Sequence, residues 1–423
     1  MKKNEAVFRF KPFSRKQRQV LNWWTETSPV KDMDGIIADG AIRSGKSLTM
    51  SLSFVLWAMS SYNGQNFAMC GKSVGSFRRN VLFWLKLMLA GRGFSTKDSR
   101  GDNIFIVKRG NVENYFYIFG GKDERSQDFI QGITLAGVFL DEVALMPESF
   151  VNQATGRCSV DGSKYWFNCN PSYPSHWFKT NWIDKHKDKH LIYLHFMMDD
   201  NLSLSQHKKE QYYRNYTGVF FDRYIMGEWS LAEGIIYPMY KEAIKEPPAL
   251  ASPDKYCLSI DYGTQNAFAA ILWGKYNNVW YALKEYYYSG RATGIQKTDE
   301  EYGRDMDEFI SCTDCVLETI VDPSAASFIA LLRRKGGRYR VRPADNAVSD
   351  GIRETATALK LHKIYIHPSM KNWRDEAAGY SWDDKAADDV PVKVNDHLMD
   401  SMRYFVKTKR IAVLKKQDYS SAI

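Results

Sequence analysis

Eight consecutive residues constrain this chain more than any others: Gly40-Ala41-Ile42-Arg43-Ser44-Gly45-Lys46-Ser47. They fit the phosphate-loop pattern GxxxxGK followed by Ser or Thr. The short run Gly35–Asp39 enters the loop as a strand, and Ser47–Ser60 leaves it as a helix. The glycines let backbone N–H groups turn inward around phosphate oxygens, and Lys46 brings positive charge to the β- and γ-phosphates. The Ser47 hydroxyl can hold Mg2+, and the helix N-terminus adds its dipole. A strand, a glycine turn and a helix in this order belong to an α/β domain with a parallel sheet.

The first half keeps that alternation. Asn66–Gly71 reads as a second strand and Val74–Leu89 as a helix. Ile104–Val107 and Tyr115–Phe119 flank Arg109-Gly110-Asn111 as a hairpin, and Gly137–Leu140, Lys164–Asn168 and Leu191–Met197 read as further strands. Val138-Phe139-Leu140-Asp141-Glu142 is an apolar strand that exits on two acids, a Walker B pattern. In it Asp141 would bind Mg2+ through water and Glu142 would polarise the attacking water. Asn168 and Asn170, in Phe167-Asn168-Cys169-Asn170-Pro171, end the next strand, where an amide can sense the γ-phosphate; a plain Asn-Pro turn is the alternative. Two roles are open to Arg43, an arginine finger or a structural partner for an acid. Arg79 and Arg157 are further finger candidates. Gln17 either hydrogen-bonds an adenine edge or begins a surface helix. The expected ATP-binding set is therefore Gly40, Arg43, Ser44, Gly45, Lys46, Ser47, Asp141 and Gln17.

The stretch from about residue 200 to 230 is polar, aromatic and helical in pattern, a connecting subdomain. A new strand-rich pattern follows, which puts a domain boundary near residue 230. Tyr256–Ile260 reads as a strand ending in Asp261. Phe268–Trp273 and Val279–Glu285 form a hairpin across Lys275–Asn278. Val316–Val321 reads as a strand ending in Asp322 and leads into a helix through Leu332, while Val348–Lys360 and Asn395–Lys407 are helical. On the last helix Asp396 and Asp400 share a face, as do His397 and Asp400, with Leu398, Met402 and Phe405 as the buried stripe. Strand-end and helix carboxylates can together hold two hard divalent ions about 4 Å apart, the arrangement that stabilises the attacking and leaving oxygens of phosphodiester hydrolysis. The order strand-Asp, hairpin, strand-Asp, helix-acid fits an RNase H-like nuclease fold. Glu285 is a possible extra ligand. The run Asp383, Asp384, Asp388 and Asp389 reads as a solvated loop.

Charge points the same way. Among 423 residues the formal net charge is +9, which favours an anionic partner such as nucleic acid. Arg333, Arg334 and Lys335 are one candidate DNA-contact cluster, or simply a solvated helix end. The six cysteines are scattered and fit a reducing compartment; Cys312 and Cys315 form a CxxC with no second pair or His cluster to match it. The N-terminus has no long apolar stretch of the secretory kind, and Leu48 to Met59 is too short and serine-rich to span a bilayer.

Over nearly its whole length the chain resembles phage terminase large subunits, particularly the branch found in tailed phages of Gram-positive bacteria. The resemblance rests on the ATPase motifs and on Gly227-Glu228-Trp229 followed by Glu233-Gly234-Ile235-Ile236-Tyr237-Pro238. It rests also on Ser259-Ile260-Asp261-Tyr262-Gly263, on Ala344-Asp345-Asn346 followed by Gly351-Ile352, and on the segment from Asp396-His397 to Arg403-Tyr404. It implies an N-terminal P-loop motor of ASCE, RecA-like type over residues 1–230 and a C-terminal RNase H-like endonuclease over 231–423. It implies ATP with Mg2+ at the motor, through Ser47 and Asp141. At the nuclease it implies Mg2+ or Mn2+ on Asp261, Asp322 and Asp400, with His397 beside them. Asn168 and Asn170 fall where the family has its coupling motif, elsewhere a Ser/Thr-rich turn. Implied partners are double-stranded DNA, a terminase small subunit, the portal protein of the procapsid, and four further copies in a packaging pentamer. No membrane is implied, and the place of action is the cytoplasm of the infected host bacterium. Two other classes compete: a P-loop DNA translocase or helicase whose second-half carboxylates are structural, and a nucleic-acid scaffold with a degenerate nucleotide site. Intact Lys46, Ser47, Asp141 and Glu142 weigh against the scaffold.

Overall fold

The computed structural model describes residues 12–249, 252–263, 267–313, 317–383, 386 and 389–412. They form two compact units: one takes in the residues to Arg214 and Gly218–Leu231, the other Asn215–Thr217 and the residues from Ala232 on.

The first unit has eight strands: β1 (Gly35–Gly40), β2 (Asn66–Gly71), β3 (Ser95–Ser99), β4 (Ile104–Arg109), β5 (Val112–Gly120), β6 (Gly137–Asp141), β7 (Lys164–Asn168) and β8 (Leu191–Phe196). Its helices are α1 (Arg15–Asn22), α2 (Lys46–Ser61), α3 (Val74–Phe77), α4 (Phe83–Ala90), α5 (Glu148–Gly156), α6 (Gln206–Asn215) and α7 (Gly218–Phe221). The sheet order is β3-β4-β5-β2-β6-β7-β1-β8. From β5 to β8 all pairings are parallel, while β3 and β4 add an antiparallel edge. Parallel strands are covered on both faces, and β1, β2 and β6 are buried almost throughout. Neighbouring residues of β1 and β6 feed opposite cores. Ile36, Ala38 and Phe139 join Phe54, Phe67 and Trp166 on one face; Ile37, Val138 and Leu140 join Phe150, Phe167 and Phe178 on the other. The helix expected over Val74–Leu89 is interrupted by a π-helical turn at Arg78–Leu82, between α3 and α4.

The second unit has six strands: β9 (Lys255–Asp261), β10 (Ala267–Tyr276), β11 (Val279–Ser289), β12 (Leu317–Val321), β13 (Tyr339–Pro343) and β14 (Ile364–Ile366). Its helices are α8 (Gly290–Thr293), α9 (Asp299–Phe309), α10 (Ala326–Lys335), α11 (Val348–Lys360), α12 (Lys371–Gly379) and α13 (His397–Lys409). The order is β13-β12-β9-β10-β11-β14. The β9-β10-β11 meander is antiparallel, and β12 runs parallel to β9, as an RNase H-like sheet requires. Asn277 and Asn278 close the β10–β11 hairpin, both at positive φ (46° and 70°), the conformation that matches the twist of a tight hairpin. Helices α9 and α10 cover one face through Tyr302, Met306, Phe328 and Leu332. On α13, Leu398, Met402 and Phe405 are fully buried, each worth about 1.5–3 kcal/mol of burial, and Phe405 stacks on Trp273 of β10 with centroids 4.0 Å apart.

Candidate active sites

Sheet register assembles the first site. Asp141 at the end of β6 pairs with Asn168 at the end of β7, and Asn168 pairs with Ala38 of β1, two residues before Gly40. The three strands therefore end side by side, and the phosphate loop rises from β1 into α2. Its turn needs left-handed backbone: Gly40 has φ 118°, Arg43 58° and Gly45 89°. A Cβ on Gly40 would lie 2.0 Å from the Phe196 carbonyl oxygen, so only glycine fits.

Lys46 is buried. Its Nζ donates to Gly40 O (2.9 Å), Ala41 O (2.7 Å), Ser44 Oγ (3.2 Å) and Asn170 Oδ1 (3.2 Å). Burial pushes its pKa down to about 8, against the pull of Cys169, Asp39, Asp141 and Glu142. Asn168 Nδ2 donates to Ser47 Oγ at 2.9 Å and to Asp141 Oδ1. Burial, then the neighbouring Glu142, raises the Asp141 pKa, while Ser47, Lys46 and Asn168 oppose the rise. Glu142 sits at φ 60°, ψ 44°, a strained conformation for a non-glycine residue that costs roughly 1–2 kcal/mol.

Gln17 is buried beside the phosphate loop as well as beginning a helix. It closes the capping box of α1, accepting from Ser14 N at 3.0 Å, and its Nε2 lies where a Cβ on Gly45 would come within 2.4 Å. Arg43 is exposed, 5.9 Å over the Tyr212 ring, and Asn201 Nδ2 donates to its carbonyl at 2.7 Å. Arg79 is exposed, on the π-helical turn. Arg157 does not belong to this site. Its carbonyl accepts from Leu135 N (2.9 Å) just before β6 begins, at the opposite end of the sheet from Lys46.

A second set of contacts was not singled out from the sequence. The fully buried Asp39 accepts from Trp229 Nε1 at 2.7 Å and meets His195 Nδ1 at 2.9 Å. Ile42 N donates to Tyr224 O at 2.8 Å, and a Cβ on Gly227 (φ 74°) would come 2.9 Å from Ala41 N. The Gly227-Glu228-Trp229 segment thus closes directly over the base of the phosphate loop. The only prior signal was its place in the family pattern.

The second site is built the same way. Val321 of β12 pairs with Ile260 of β9, so Asp322 and Asp261 leave adjacent parallel strands, and Asp322 N donates to Ile260 O at 3.3 Å. Helix α13 is pinned to β9 by Ser401 Oγ, which donates to Ser259 O (3.0 Å) and meets Ser259 Oγ (2.9 Å). That register puts His397 Nδ1 2.9 Å from Asp261 Oδ2. Burial raises the Asp261 pKa, and Asp400 and Asp322 raise it further against the His397 hydrogen bond. Burial alone would lower the His397 pKa; Asp261, with Glu376 and Asp396 behind it, overcomes this and raises it. The structure thus brings Asp261, Asp322, Asp400 and His397 into one electrostatic cluster.

Each carboxylate is also held by a protein donor. Asp322 Oδ1 accepts from Ser324 N and Oδ2 from Tyr404 OH, both at 2.8 Å. Asp400 Oδ1 accepts from Arg403 Nε at 3.1 Å and lies 2.9 Å from Nη2; its Oδ2 lies 3.1 Å from Lys393 Nζ. Glu376 accepts from Leu398 N (2.7 Å) and Met399 N (3.2 Å), capping α13. Lys393, Arg403, Tyr404 and Glu376 were not assigned from the sequence. The all-oxygen donor set suits a hard divalent ion. Among the described residues, however, no three His, Cys, Asp or Glu side chains stand close enough to enclose one as placed.

Other expectations change. Glu285 caps α12, accepting from Asn372 N and Trp373 N at 2.8 Å each, so its carboxylate is committed to that helix. Arg333, Arg334 and Lys335 are all exposed, and the Lys335 ammonium donates to Gly303 O (3.0 Å) and to Asp307. Cys312 is exposed, and Cys315, like Asp384 and Asp388, lies outside the described residues. Among the described residues no helix is long and apolar enough to cross a membrane.

The family model for the N-terminal part of the terminase large subunit, T4likevirus-type, matches residues 37–244. No curated protein matches the chain. Among solved structures, the large terminase of a thermophilic bacteriophage is 56% identical, with a TM-score of 0.90 over 94% of this chain and 99% of that one. The same phage protein with ADP is 56% identical at a TM-score of 0.87, and with ATP-gamma-S 55% identical at 0.86, over the same shares of both chains. With that identity sustained over almost its whole length, the chain belongs to the family of phage terminase large subunits.

Proposed function

We propose that residues 1–230 form an ATP-driven motor that moves viral double-stranded DNA into the procapsid, and that residues 231–423 form the endonuclease that cuts concatemeric DNA. The observation that carries the motor reading is the convergence of Lys46, Ser47, Asp141, Asn168 and Asn170 on three adjacent strand ends. Gly40, Ser44 and Gly45 supply the loop, Ser47 and Asp141 would hold the nucleotide's Mg2+, and Glu142 would orient the attacking water. Asn168 touches both Ser47 and Asp141, so it is placed to report the state of the metal and phosphate; Asn170 does the same for Lys46. The thermophilic phage terminase structures with ADP and ATP-gamma-S support nucleotide binding.

The nuclease reading rests on the cluster of Asp261, Asp322 and Asp400, which would hold Mg2+ or Mn2+ once their side chains close around it. Two such ions would stabilise the attacking and leaving oxygens of phosphodiester hydrolysis. His397, 2.9 Å from Asp261 Oδ2, holds that carboxylate in place. The small subunit, the portal and a pentameric assembly follow from family membership. Plasmid digestion with and without Mn2+ tests the assignment: Asp400→Ala and Asp261→Ala lose cutting and keep ATP hydrolysis, whereas Lys46→Ala loses hydrolysis and keeps cutting. Cutting that survives Asp261→Ala would remove this cluster from the reaction and favour a translocase without a nuclease.

A further inference from the structure

Asp400 is gripped by two cations of opposite character. Arg403 is buried, its Nη1 donates to Asn346 O at 2.8 Å, and its stem packs where a Cβ on Gly351 would come within 2.7 Å of Cγ. It therefore fixes Asp400 Oδ1 permanently. Lys393 reaches in from solvent with a side chain 57% exposed. Its ammonium lies 2.8 Å from Asp396 Oδ2 and 3.1 Å from Asp400 Oδ2. Both of those carboxylates are largely withdrawn from water, at 9% and 11% exposure. Two shielded carboxylates turned to one point repel each other unless a cation sits between them. A long, partly solvated lysine can supply that charge and can also leave.

We propose that Lys393 is a positioning residue that acts as a placeholder cation, holding Asp396 and Asp400 until a divalent ion displaces its ammonium. The inference rests on reading Asp400 as a metal ligand. It explains why the cluster stands spread among protein donors rather than closed around a point. It also makes the affinity for the ion a difference between two occupants: the ion gains the carboxylates only after the lysine has given them up. Arg403 cannot play this part, because its other contacts lock it in place; it limits Asp400 to one available oxygen.

The test uses the full chain without nucleotide. Mn2+ binding is measured by titration calorimetry for wild type, Lys393→Met, Lys393→Arg, Asp261→Ala and Asp400→Ala, with ATP hydrolysis as a check on folding. Methionine keeps the stem and removes the charge. Lys393→Met should bind Mn2+ about tenfold more tightly, since two partly exposed ion pairs no longer have to be broken. Its metal-free melting temperature should fall, and saturating Mn2+ should restore it. Lys393→Arg should bind within about twofold of wild type, since the displaced charge is retained. Equal or weaker Mn2+ binding in Lys393→Met overturns the proposal while leaving the metal site intact. Wild-type binding that persists unchanged in both Asp261→Ala and Asp400→Ala overturns the metal-site reading itself, and the placeholder with it.

Discussion

Trp229→Phe tests whether the segment after the helical connector is part of the nucleotide site or only passes near it. The indole N–H donates to a carboxylate that has no exposure to water, at 2.7 Å. Phenylalanine removes that donor and leaves Asp39 with the His195 contact at 2.9 Å and a hydrogen bond from Tyr193. A hydrogen bond to a buried charge is worth about 1.5–3 kcal/mol, because the abandoned acceptor keeps its desolvation cost. The smaller ring loses roughly 1 kcal/mol more of apolar burial. At about 2–4 °C per kcal/mol for a unit of this size, the melting temperature should fall by roughly 5–16 °C. Calorimetry with added nucleotide identifies the transition that belongs to the ATP-binding unit, since a ligand raises only the unit that binds it. In an Asp39→Asn background the same change should cost about 1 kcal/mol less, because the acceptor is neutral there. A loss under about 0.5 kcal/mol, or equal losses in the two backgrounds, would refute the claim that the Trp229–Asp39 bond holds the base of the loop.

Three further outcomes follow from single residues. Glu142→Gln should bind ATP normally and hydrolyse it at least about a hundredfold more slowly; Glu142→Gly should be as slow yet more heat-stable by about 1 kcal/mol, because it removes the strain at φ 60°. Lys46, with its pKa lowered to about 8 by burial, loses its proton as pH rises through 8, and phosphate favours the charged form. ATP without Mg2+ should therefore bind more weakly from pH 8 to 9 and take up a proton, seen as a buffer-dependent heat in calorimetry and absent in Lys46→Arg. Glu285→Gln should weaken the α12 cap by about 1 kcal/mol and leave plasmid cutting within about twofold of wild type; a loss like that of Asp261→Ala would return Glu285 to the metal site.

The sequence carries strand ends better than it carries charge partners. Asp141, Asp261 and Asp322 were legible because an apolar run that stops on an acid marks where a buried strand meets solvent. The β10–β11 turn was legible through its paired asparagines. Helix α9 could have been found, since Thr298 and Glu301 form a capping box, but its mean composition is too acidic to suggest a covered face. Strand β3, Ser-Thr-Lys-Asp-Ser, has no apolar side at all, because an edge strand needs none. The π-helical turn at Arg78–Leu82 leaves the helical spacing almost unchanged, so periodicity does not reveal it. Lys393 and Arg403 were invisible as partners of Asp400 for a different reason: a cation's role depends on which carboxylate the fold brings beside it. Asp39 looked like an ordinary residue of a buried strand, and the return of Trp229 to that strand's end, beside His195 of β8, explains a carboxylate there.

Both sites meet the same physical difficulty, which is to keep acids together where water cannot screen them. The ATP site answers with Lys46, and that lysine is itself occupied: its ammonium holds two loop carbonyls, the Ser44 hydroxyl and the Asn170 amide oxygen. Under the proposed motor reading a phosphate would compete with those four acceptors, so release of Asn170 would accompany capture of the phosphate. On that proposal Asn170 would couple the chemistry to the strand that follows it. The nuclease cluster has more acids and answers with two cations, one locked (Arg403) and one able to leave (Lys393), and with a histidine hydrogen-bonded to a ligand (His397). In each site, then, the residue that responds to the ligand is the one whose present contacts the ligand must replace. The rigid neighbours decide where it goes: Gly40 and Phe196 behind the loop, Ser259 and Ser401 beneath α13.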